Sequence, residues 1–178
     1  MVGLLDRSGV PYMVTGSVAS SYHGEPRATR DLDIVIDPDP EALARMVDEL
    51  LAEGLSVDLG AAQDALRHRG QFNAIDSASG WKVDFIVRWD RAFSRVEFGR
   101  RVRAELLGRS AWIATAEDAI IAKLEWSAAV DSQRQLRDVA AMLDVGGESL
   151  DLGYVDGWLA ELGLTEIWRR AATFRVTD

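Results

Sequence analysis

Val14-Thr15-Gly16-Ser17 and Asp31-Leu32-Asp33-Ile34-Val35-Ile36 are the two stretches that define the architecture of this chain, and thirteen residues separate them. The first predicts a strand that ends at Gly16-Ser17, where a helix begins. The second predicts a strand in which acidic and apolar side chains alternate. Because the side chains of a strand point alternately to its two faces, Asp31 and Asp33 share one face and the apolar residues beside them face the core.

Asp84 repeats this arrangement in a later strand, predicted at Trp81–Val87. Its neighbours are apolar, and a carboxylate in such a strand is costly unless it is solvated or paired. Carboxylates a few ångströms apart repel each other unless a cation lies between them, and hard oxygen ligands suit Mg²⁺ or Mn²⁺. The three acids are therefore either surface residues of amphipathic strands or ligands of a shared metal ion.

The turn at Gly16-Ser17 helps to distinguish surface acids from metal ligands. A turn that leaves a strand and opens a helix exposes backbone N–H groups, and here a hydroxyl, to an anion. A phosphate-binding turn followed by a pair of carboxylates is the combination that phosphoryl transfer requires. The two features together favour an enzyme that acts on phosphate groups.

The rest of the chain mixes strands and helices at first and then becomes helical. The predicted strands are Tyr12–Thr15, Asp31–Ile36, Phe72–Ile75, Trp81–Val87 and Ala111–Ala114. The predicted helices are Val18–His23, Glu41–Glu53, Ala116–Val130, Gln133–Val145, Tyr154–Leu162 and Thr165–Phe174. This order predicts an α/β (α+β) fold, with a small mixed β-sheet core flanked by helices and a helical C-terminal region. We expect a catalytic core at residues 1–114 and a helical region at 115–178 packed on it.

Composition excludes several classes of protein. The chain has 178 residues, of which 48% are hydrophobic, so it can bury a full core. It has no cysteine, which rules out a disulfide framework and a thiol nucleophile. No signal peptide and no membrane-spanning stretch are predicted, so we expect a cytoplasmic protein without a membrane partner.

One local segment is basic although the formal net charge is -9. Residues 88–109 hold seven arginines against three acidic residues. Such a run is either a solvated helix face or a set of phosphate contacts for a polyanionic acceptor such as an RNA end. The overall negative charge argues against an extended nucleic acid and for a locally engaged acceptor, such as a tRNA 3′ end.

The two opening stretches together resemble the signature of the DNA-polymerase-β-like nucleotidyltransferases. The sequence of residues 22–31, Tyr-His-Gly-Glu-Pro-Arg-Ala-Thr-Arg-Asp, resembles the corresponding segment in the branch that contains AbiEii-type toxins and related bacterial proteins. Lys82-Val83-Asp84-Phe85 resembles the strand with the third carboxylate of that family. The likeness spans roughly residues 10 to 145.

The resemblance implies roles for particular residues. Asp31, Asp33 and Asp84 would be catalytic and would hold two Mg²⁺ (or Mn²⁺) ions, and Gly16 and Ser17 would bind the triphosphate. AbiEii-type members also carry a downstream lysine and an Arg-Asp pair, which Lys123 and Arg137-Asp138 resemble. We assign Arg27, Lys123 and Asp138 to the nucleotide site as well. From the residues alone, Lys123 is equally a lysine at the edge of the core, Arg27 is equally a solvated residue of its turn, and Arg137-Asp138 is equally a local ion pair.

The resulting hypothesis is a metal-dependent enzyme that moves a nucleoside monophosphate from an NTP to an acceptor and releases pyrophosphate. The acceptor is left open between an RNA end, a protein and a small molecule. The alternative is a catalytically silent module that binds an NTP or a cognate partner protein in a toxin–antitoxin-like system. Ala141, where a second downstream acid is often seen in the branch, and the lack of a basic residue soon after Lys123 argue against a toxin role.

Overall fold

Strands and helices alternate along residues 1–173, the part of the chain that this computed structural model describes. The strands are β1 (Tyr12–Val14), β2 (Asp31–Ile36), β3 (Ser56–Val57), β4 (Gln71–Ile75), β5 (Lys82–Val87), β6 (Val102–Leu106) and β7 (Arg109–Ile113). The helices are α1 (Val2–Ser8), α2 (Gly16–His23), α3 (Pro40–Ala52), α4 (Leu59–His68), α5 (Ala92–Arg100), α6 (Ala116–Val130), α7 (Gln133–Gly146), α8 (Leu152–Glu161) and α9 (Thr165–Thr173). The predicted mixed fold with a helical C-terminal region is confirmed. Phe174, the predicted end of the last helix, lies outside the described residues.

The chain forms two compact units. The first, which we call the sheet unit, comprises residues 1–15 and 29–114. The second, the helical unit, comprises residues 16–28 and the chain from Thr115 onward. Helix α2 thus belongs with the C-terminal helices, although it lies near the start of the chain. The predicted division into a 1–114 core and a 115–178 region remains a prediction.

The sheet unit is built on a mixed seven-stranded sheet with the strand order β3-β4-β5-β2-β1-β7-β6. Strands β2 and β5 pair in parallel, as do β1 and β7. The remaining neighbours are antiparallel, including β4 and β5, which form a hairpin. Parallel neighbours need a long crossover, and here the chain between β2 and β5 supplies α3, β3, α4 and β4.

The two faces of this sheet have different chemistry. On one face, Ile34 and Phe85 lie in the fully buried main core. Helix α3 helps to build this core with apolar residues at helical spacing, namely Leu43, Met46, Val47 and Leu50. The opposite face carries Asp31 and Asp33 at one end, and a small apolar cluster beside them. That cluster consists of Met13, Val35, Ile86, Phe98 and Ala114. This sheet face is therefore polar at the end that carries the carboxylates and covered by the apolar cluster at its other end.

The helical unit packs α6 against α2, α7, α8 and α9. Its core is formed by residues such as Ile120, Leu124 and Val139, which are fully buried. Gly24 follows α2 where the chain passes close to α7, and a Cβ there would lie 3.0 Å from the backbone nitrogen of Met142. A glycine is needed at this approach. In the described part of the chain no helix is long and apolar enough to cross a membrane.

Several elements were not predicted from the sequence, namely α1, β3, α4, α5 and β6. Helix α5 buries Phe93 and Phe98 but also Ser94 and Glu97, so two of its four buried positions are polar and hydrophobic spacing does not reveal it. The arginine-rich segment is accordingly not one solvated helix, because it forms α5 and then the edge strand β6.

The N-cap of α3 gives a stability prediction. Asp39 accepts a hydrogen bond from the backbone N–H of Ala42 at 2.7 Å, and Pro40 occupies the first turn. We expect Asp39→Ala to lower the free energy of unfolding by about 1 kcal/mol, because an N–H loses its partner. Urea denaturation measures this. Asp48→Ala is the matched control: it removes an exposed acid from the middle of the same helix, where alanine has the higher helix propensity. Equal effects of the two substitutions would contradict the capping role.

Candidate functional site

The predicted carboxylates meet on one face of the sheet unit. The register of β2 and β5 places Asp33 opposite Asp84 and Asp31 opposite Lys82. Residues two apart in a strand share a face, so these four side chains form a block two residues wide and two long. We call it the acid face. Asp31 is exposed, and Asp33 and Asp84 are half-buried.

Lys82 provides a positive charge within the acid face. Its Nζ lies 2.7 Å from Asp84 Oδ2 and 3.9 Å from Asp31 Oδ1. The hydrogen bond to Asp84 raises the pKa of Lys82 above its ordinary value; partial burial opposes the rise, and the charges of Asp84, Asp31 and Asp33 add to it. The amine is therefore a firmly charged ammonium that neutralises one of three carboxylates.

The donor set of the acid face fits a hard divalent cation by its chemistry. Three carboxylates adjoin and one positive charge partly balances them, so the face keeps an excess of negative charge. Oxygen-only donors suit Mg²⁺ or Mn²⁺. Within residues 1–173, however, no three acidic or histidine side chains converge closely enough to hold a metal as they stand. In this arrangement the cation paired with Asp84 is the ammonium of Lys82.

Gly16 and Ser17 open helix α2 in the helical unit. Gly16 has φ +61°, in the left-handed region that favours glycine. Ser17 is buried, and its Oγ accepts hydrogen bonds from Arg27 Nη2 at 2.5 Å and from Arg134 Nη2 at 3.4 Å. Two guanidinium groups thus converge on one hydroxyl at the start of a helix, where the macrodipole also favours an anion.

Asp138 on α7 ties the surrounding cations together. Its Oδ1 accepts from Arg27 Nε at 3.1 Å, and its Oδ2 accepts from Arg27 Nη2 at 3.1 Å and Lys123 Nζ at 2.7 Å. Ser20 Oγ donates to the same Oδ2 at 3.3 Å. We call the group of Ser17, Ser20, Arg27, Lys123, Arg134 and Asp138 the Asp138 cluster. It carries three positive charges and one negative charge, all within the helical unit.

The electrostatics of this cluster fix the state of its carboxylate. Burial by itself would raise the pKa of Asp138, but hydrogen bonds from Arg27 and Lys123 and the charges of both residues more than reverse that effect, so the pKa is lowered. The carboxylate is ionised and its oxygens already hold four donor contacts. Asp138 therefore orients the cations of Arg27 and Lys123.

The downstream residues Lys123, Arg137 and Asp138 do not pair according to their order in the sequence. Arg137 and Asp138 are adjacent, but neighbouring residues of a helix point in different directions. Arg137 is exposed, whereas Asp138 is buried and pairs with Arg27, which lies 111 positions away in the sequence. Lys123, 5% exposed, also pairs with Asp138 and so is not merely a lysine at the edge of the core.

Many side chains of the arginine-rich segment have structural partners in the sheet unit. Arg88 pairs with Asp37 at 2.9 Å, and Arg95 pairs with Asp90 at 2.7 Å. The guanidinium groups of Arg101 and Arg103 lie over the ring of Trp112, at 5.1 and 4.5 Å from its centroid. Burial lowers the pKa of Arg101. These contacts leave fewer arginines for an acceptor than their number implies.

Three residues of these groups were not found by sequence reasoning, namely Lys82, Ser20 and Arg134. Ser20 joins its group through the hydrogen bond to Asp138. Lys82 lies two positions before Asp84, so strand periodicity alone puts it on the acid face. Lysine is also rare in this sequence, which contains only Lys82 and Lys123, so its presence beside Asp84 was a second signal. Arg134 gave no comparable signal, since its approach to Ser17 depends on the packing of α7 beside α2.

Comparison with solved structures places this architecture among nucleotidyltransferases. The chain matches the solution structure of the antibiotic-resistance factor ANT(2'')-Ia with a TM-score of 0.62 and 15% identity, over 94% of this chain and 92% of that one. It matches the lincosamide antibiotic adenylyltransferase LnuA, lincomycin-bound, with a TM-score of 0.56 and 12% identity, over 80% and 92%. An antigenic nucleotidyltransferase-like protein from Paracoccidioides brasiliensis matches with a TM-score of 0.55 and 16% identity, over 94% and 88%.

These similarities define the class of fold. They show that the chain has a nucleotidyltransferase fold, as the sequence resemblance implied. No protein-family model matches the sequence, and neither does any curated protein. The narrower resemblance to the AbiEii-type branch therefore remains a prediction.

The Asp138 cluster yields a prediction with a defined pH dependence. Asp138→Asn leaves Arg27 and Lys123 without their shared counter-charge, so we expect it to lower the free energy of unfolding at pH 7 by about 3 kcal/mol. The folded pKa of Asp138 lies below the unfolded one, so the carboxylate stabilises the fold fully above the ordinary Asp pKa of about 3.9. That stabilisation is lost as the pH falls through the folded pKa.

Urea denaturation of wild type and variant between pH 7 and pH 3 measures this effect. The difference in stability should be constant at neutral pH and shrink below about pH 4. Asp144→Asn, which changes an exposed acid on the same helix, is the matched control and should be nearly neutral at every pH. A wild-type advantage that stays constant to pH 3 would contradict the assignment.

Proposed function

We propose that this protein is a metal-dependent nucleotidyltransferase that moves a nucleoside monophosphate from an NTP to a hydroxyl acceptor and releases pyrophosphate. The observation that carries the proposal is the acid face: in a nucleotidyltransferase fold, Asp33 stands opposite Asp84 and Asp31 lies on the same face. A purely structural sheet gains nothing from adjoining like charges, which cost stability. An NTP-consuming enzyme of this kind draws on the cytoplasmic nucleotide pool, so the proposal includes a cytoplasmic location.

The proposal assigns the acids to the metal and to the acceptor. Asp31, Asp33 and Asp84 would hold Mg²⁺ or Mn²⁺, and the bound cation would neutralise phosphate charge and acidify the acceptor hydroxyl. Asp84 is the group assigned to receive the hydroxyl proton. The acceptor oxygen bonds to the α-phosphorus, the bond from that phosphorus to the β-phosphate oxygen breaks, and pyrophosphate carries away the displaced electron pair.

The proposal assigns the triphosphate to the opening of α2. Gly16 supplies a turn without a Cβ, and Ser17 lies under the guanidinium groups of Arg27 and Arg134. Lys123 adds positive charge to this group, and Asp138 keeps Arg27 and Lys123 in place. An anion binds well where fixed donors already converge, because few groups need to be ordered on binding.

The acceptor that this proposal favours is a hydroxyl-bearing small molecule. Two observations support it. The arginines proposed for RNA contacts include Arg88 and Arg95, which already have acidic partners, and Arg101, which stacks on aromatic rings. The structural neighbours include ANT(2'')-Ia in complex with adenylyl-2''-tobramycin and LnuA bound to lincomycin. An RNA end and a protein hydroxyl become the alternatives that acceptor screening distinguishes.

A catalytically silent protein is the second candidate, and Lys82 is the observation that favours it. An ammonium 2.7 Å from Asp84 can hold that carboxylate permanently in an ion pair, away from a metal, and leave an NTP-binding or partner-binding module. The cognate partner of a toxin–antitoxin-like system belongs to this second candidate. Pyrophosphate release from ATP, with Mg²⁺ and a panel of small alcohols, amino sugars, RNA ends and cell extract, separates the two. If the wild type releases no pyrophosphate under any of these conditions, the silent module is favoured.

Asp33→Asn tests the role of the acid face. We expect turnover to fall by more than about a hundredfold, because a metal ligand and a negative charge are lost together. The thermal midpoint without metal should stay the same or rise, since the substitution relieves repulsion among the acids. Pyrophosphate release and thermal denaturation are the measurements. Asp48→Asn, with the same change of net charge on the exposed side of α3, should keep full turnover; an Asp33→Asn protein as active as wild type would refute the assignment.

Substitutions at the opening of α2 test the triphosphate site. Ser17→Ala should weaken NTP binding by about 1 kcal/mol, or roughly fivefold, for one lost hydrogen bond. Gly16→Val should weaken it more, because a β-branched residue is strained at φ +61° and its Cβ obstructs the approach of a ligand. Calorimetric titration with ATP measures both. Ser77→Ala, in the exposed turn between β4 and β5, is the control; an affinity insensitive to Gly16→Val would place the nucleotide elsewhere.

A further inference from the structure

Lys82 is a cation built into the acid face. The β2–β5 register fixes it opposite Asp31, and the two-residue period of β5 puts it on the same face as Asp84. Its Nζ lies 2.7 Å from Asp84 Oδ2 and 3.9 Å from Asp31 Oδ1. One ammonium therefore serves two acids on neighbouring strands.

The position of this ammonium conflicts with a divalent cation on the same oxygen. Mg²⁺ binds a carboxylate oxygen at about 2.0–2.1 Å and Mn²⁺ prefers the same kind of ligand. An ammonium in contact with Asp84 Oδ2 stands within a few ångströms of such an ion, and the two positive charges repel each other. Coordination of a metal through Oδ2 of Asp84 and retention of this ion pair are therefore alternative states of the face.

The side chain of Lys82 is able to leave. It is 39% exposed, and its ammonium sits on a flexible four-carbon stem. The acids, by contrast, are on short side chains attached to a central parallel pair of strands. The mobile partner of the ion pair is thus the lysine, and the fixed partner is the set of carboxylates.

We propose that Lys82 is a tethered counter-ion that occupies the acid face in the metal-free protein and is displaced from Asp84 when the divalent cation binds. This inference rests on the metal role given to the acids in the proposed function. Its consequence is a lowered affinity for free metal, because the apparent affinity falls with the fraction of molecules in the lysine-paired state. The affinity of the acid face for the cation is higher when the cation arrives bound to a triphosphate, because the displaced ammonium can then pair with a phosphate oxygen.

Binding of Mn²⁺ alone, without nucleotide, tests the displacement. If the ion pair is formed in about nine-tenths of molecules, Lys82→Met should bind Mn²⁺ about tenfold more tightly than wild type. Calorimetry or electron paramagnetic resonance of free Mn²⁺ measures this on the intact protein. Lys82→Arg should resemble wild type because it keeps the charge. Arg67→Met is the matched control: it removes the same charge from an exposed ion pair on α4 and should leave the Mn²⁺ affinity unchanged.

A second measurement uses the wild-type chain and does not depend on the folding of a variant. The chain has two lysines, and Lys123 is buried in the Asp138 cluster, so an amine-acetylating reagent followed by mass spectrometry reports Lys82 against an internal reference. Saturating Mn²⁺ should raise the labelling of Lys82 relative to Lys123 several-fold.

The outcomes separate this inference from the proposed function. Tighter Mn²⁺ binding by Lys82→Met together with increased labelling of Lys82 supports the displacement. Equal or weaker Mn²⁺ binding by Lys82→Met, or an unchanged labelling ratio while wild type binds Mn²⁺, overturns the displacement and leaves the metal role intact. Absence of Mn²⁺ binding in wild type, Lys82→Met and Asp33→Asn alike overturns the metal role itself, and with it this inference.

Discussion

The parallel pairing of β2 and β5 is the constraint on which the acid face depends. Strand pairing fixes which residues are neighbours to within one position, and a slip of one residue would turn every side chain to the opposite face. In the observed register the fully buried Ile34 and Phe85 lie side by side. The burial of these apolar residues holds the register, and the register brings Asp33 beside Asp84. The energy that stabilises the core is thus also the energy that opposes the repulsion among the acids.

The helical unit solves a different electrostatic problem. It gathers the cations Arg27, Lys123 and Arg134 near the start of α2. The buried carboxylate of Asp138 pairs with Arg27 and Lys123, and Arg134 contacts the hydroxyl of Ser17. Removing water from such charges is expensive, and the arrangement is tolerated because Asp138 is supplied with donors on both oxygens. The cluster keeps an excess of positive charge, whereas the acid face of the sheet unit keeps an excess of negative charge.

Local sequence was sufficient to predict the strands that carry the acids. It was insufficient where contacts between residues far apart in the chain determine which side chains are buried or paired. The bounds of β2 and α6 agree with prediction. Strand β2 has an alternating pattern that ends before Asp37-Pro38, and α6 begins after Thr115, whose side chain caps the helix by accepting from the N–H of Asp118. Helix α5 was missed because Ser94 and Glu97 occupy buried positions that hydrophobicity assigns to the surface. The site shows the same division: periodicity could have revealed Lys82, whereas the partnership of Asp138 with Arg27 spans 111 positions and is created by packing alone.

The strand order also determines how this sheet meets other chains. Its two borders are β3, which has two residues, and β6, which presents exposed Arg103 and Glu105. An unpaired border is a template for an added strand, and proteins blunt such templates with short strands and with charge. Both devices are present here, one at each border. Extension of the sheet by a second molecule is thereby disfavoured, so the folded protein is protected from edge-to-edge aggregation.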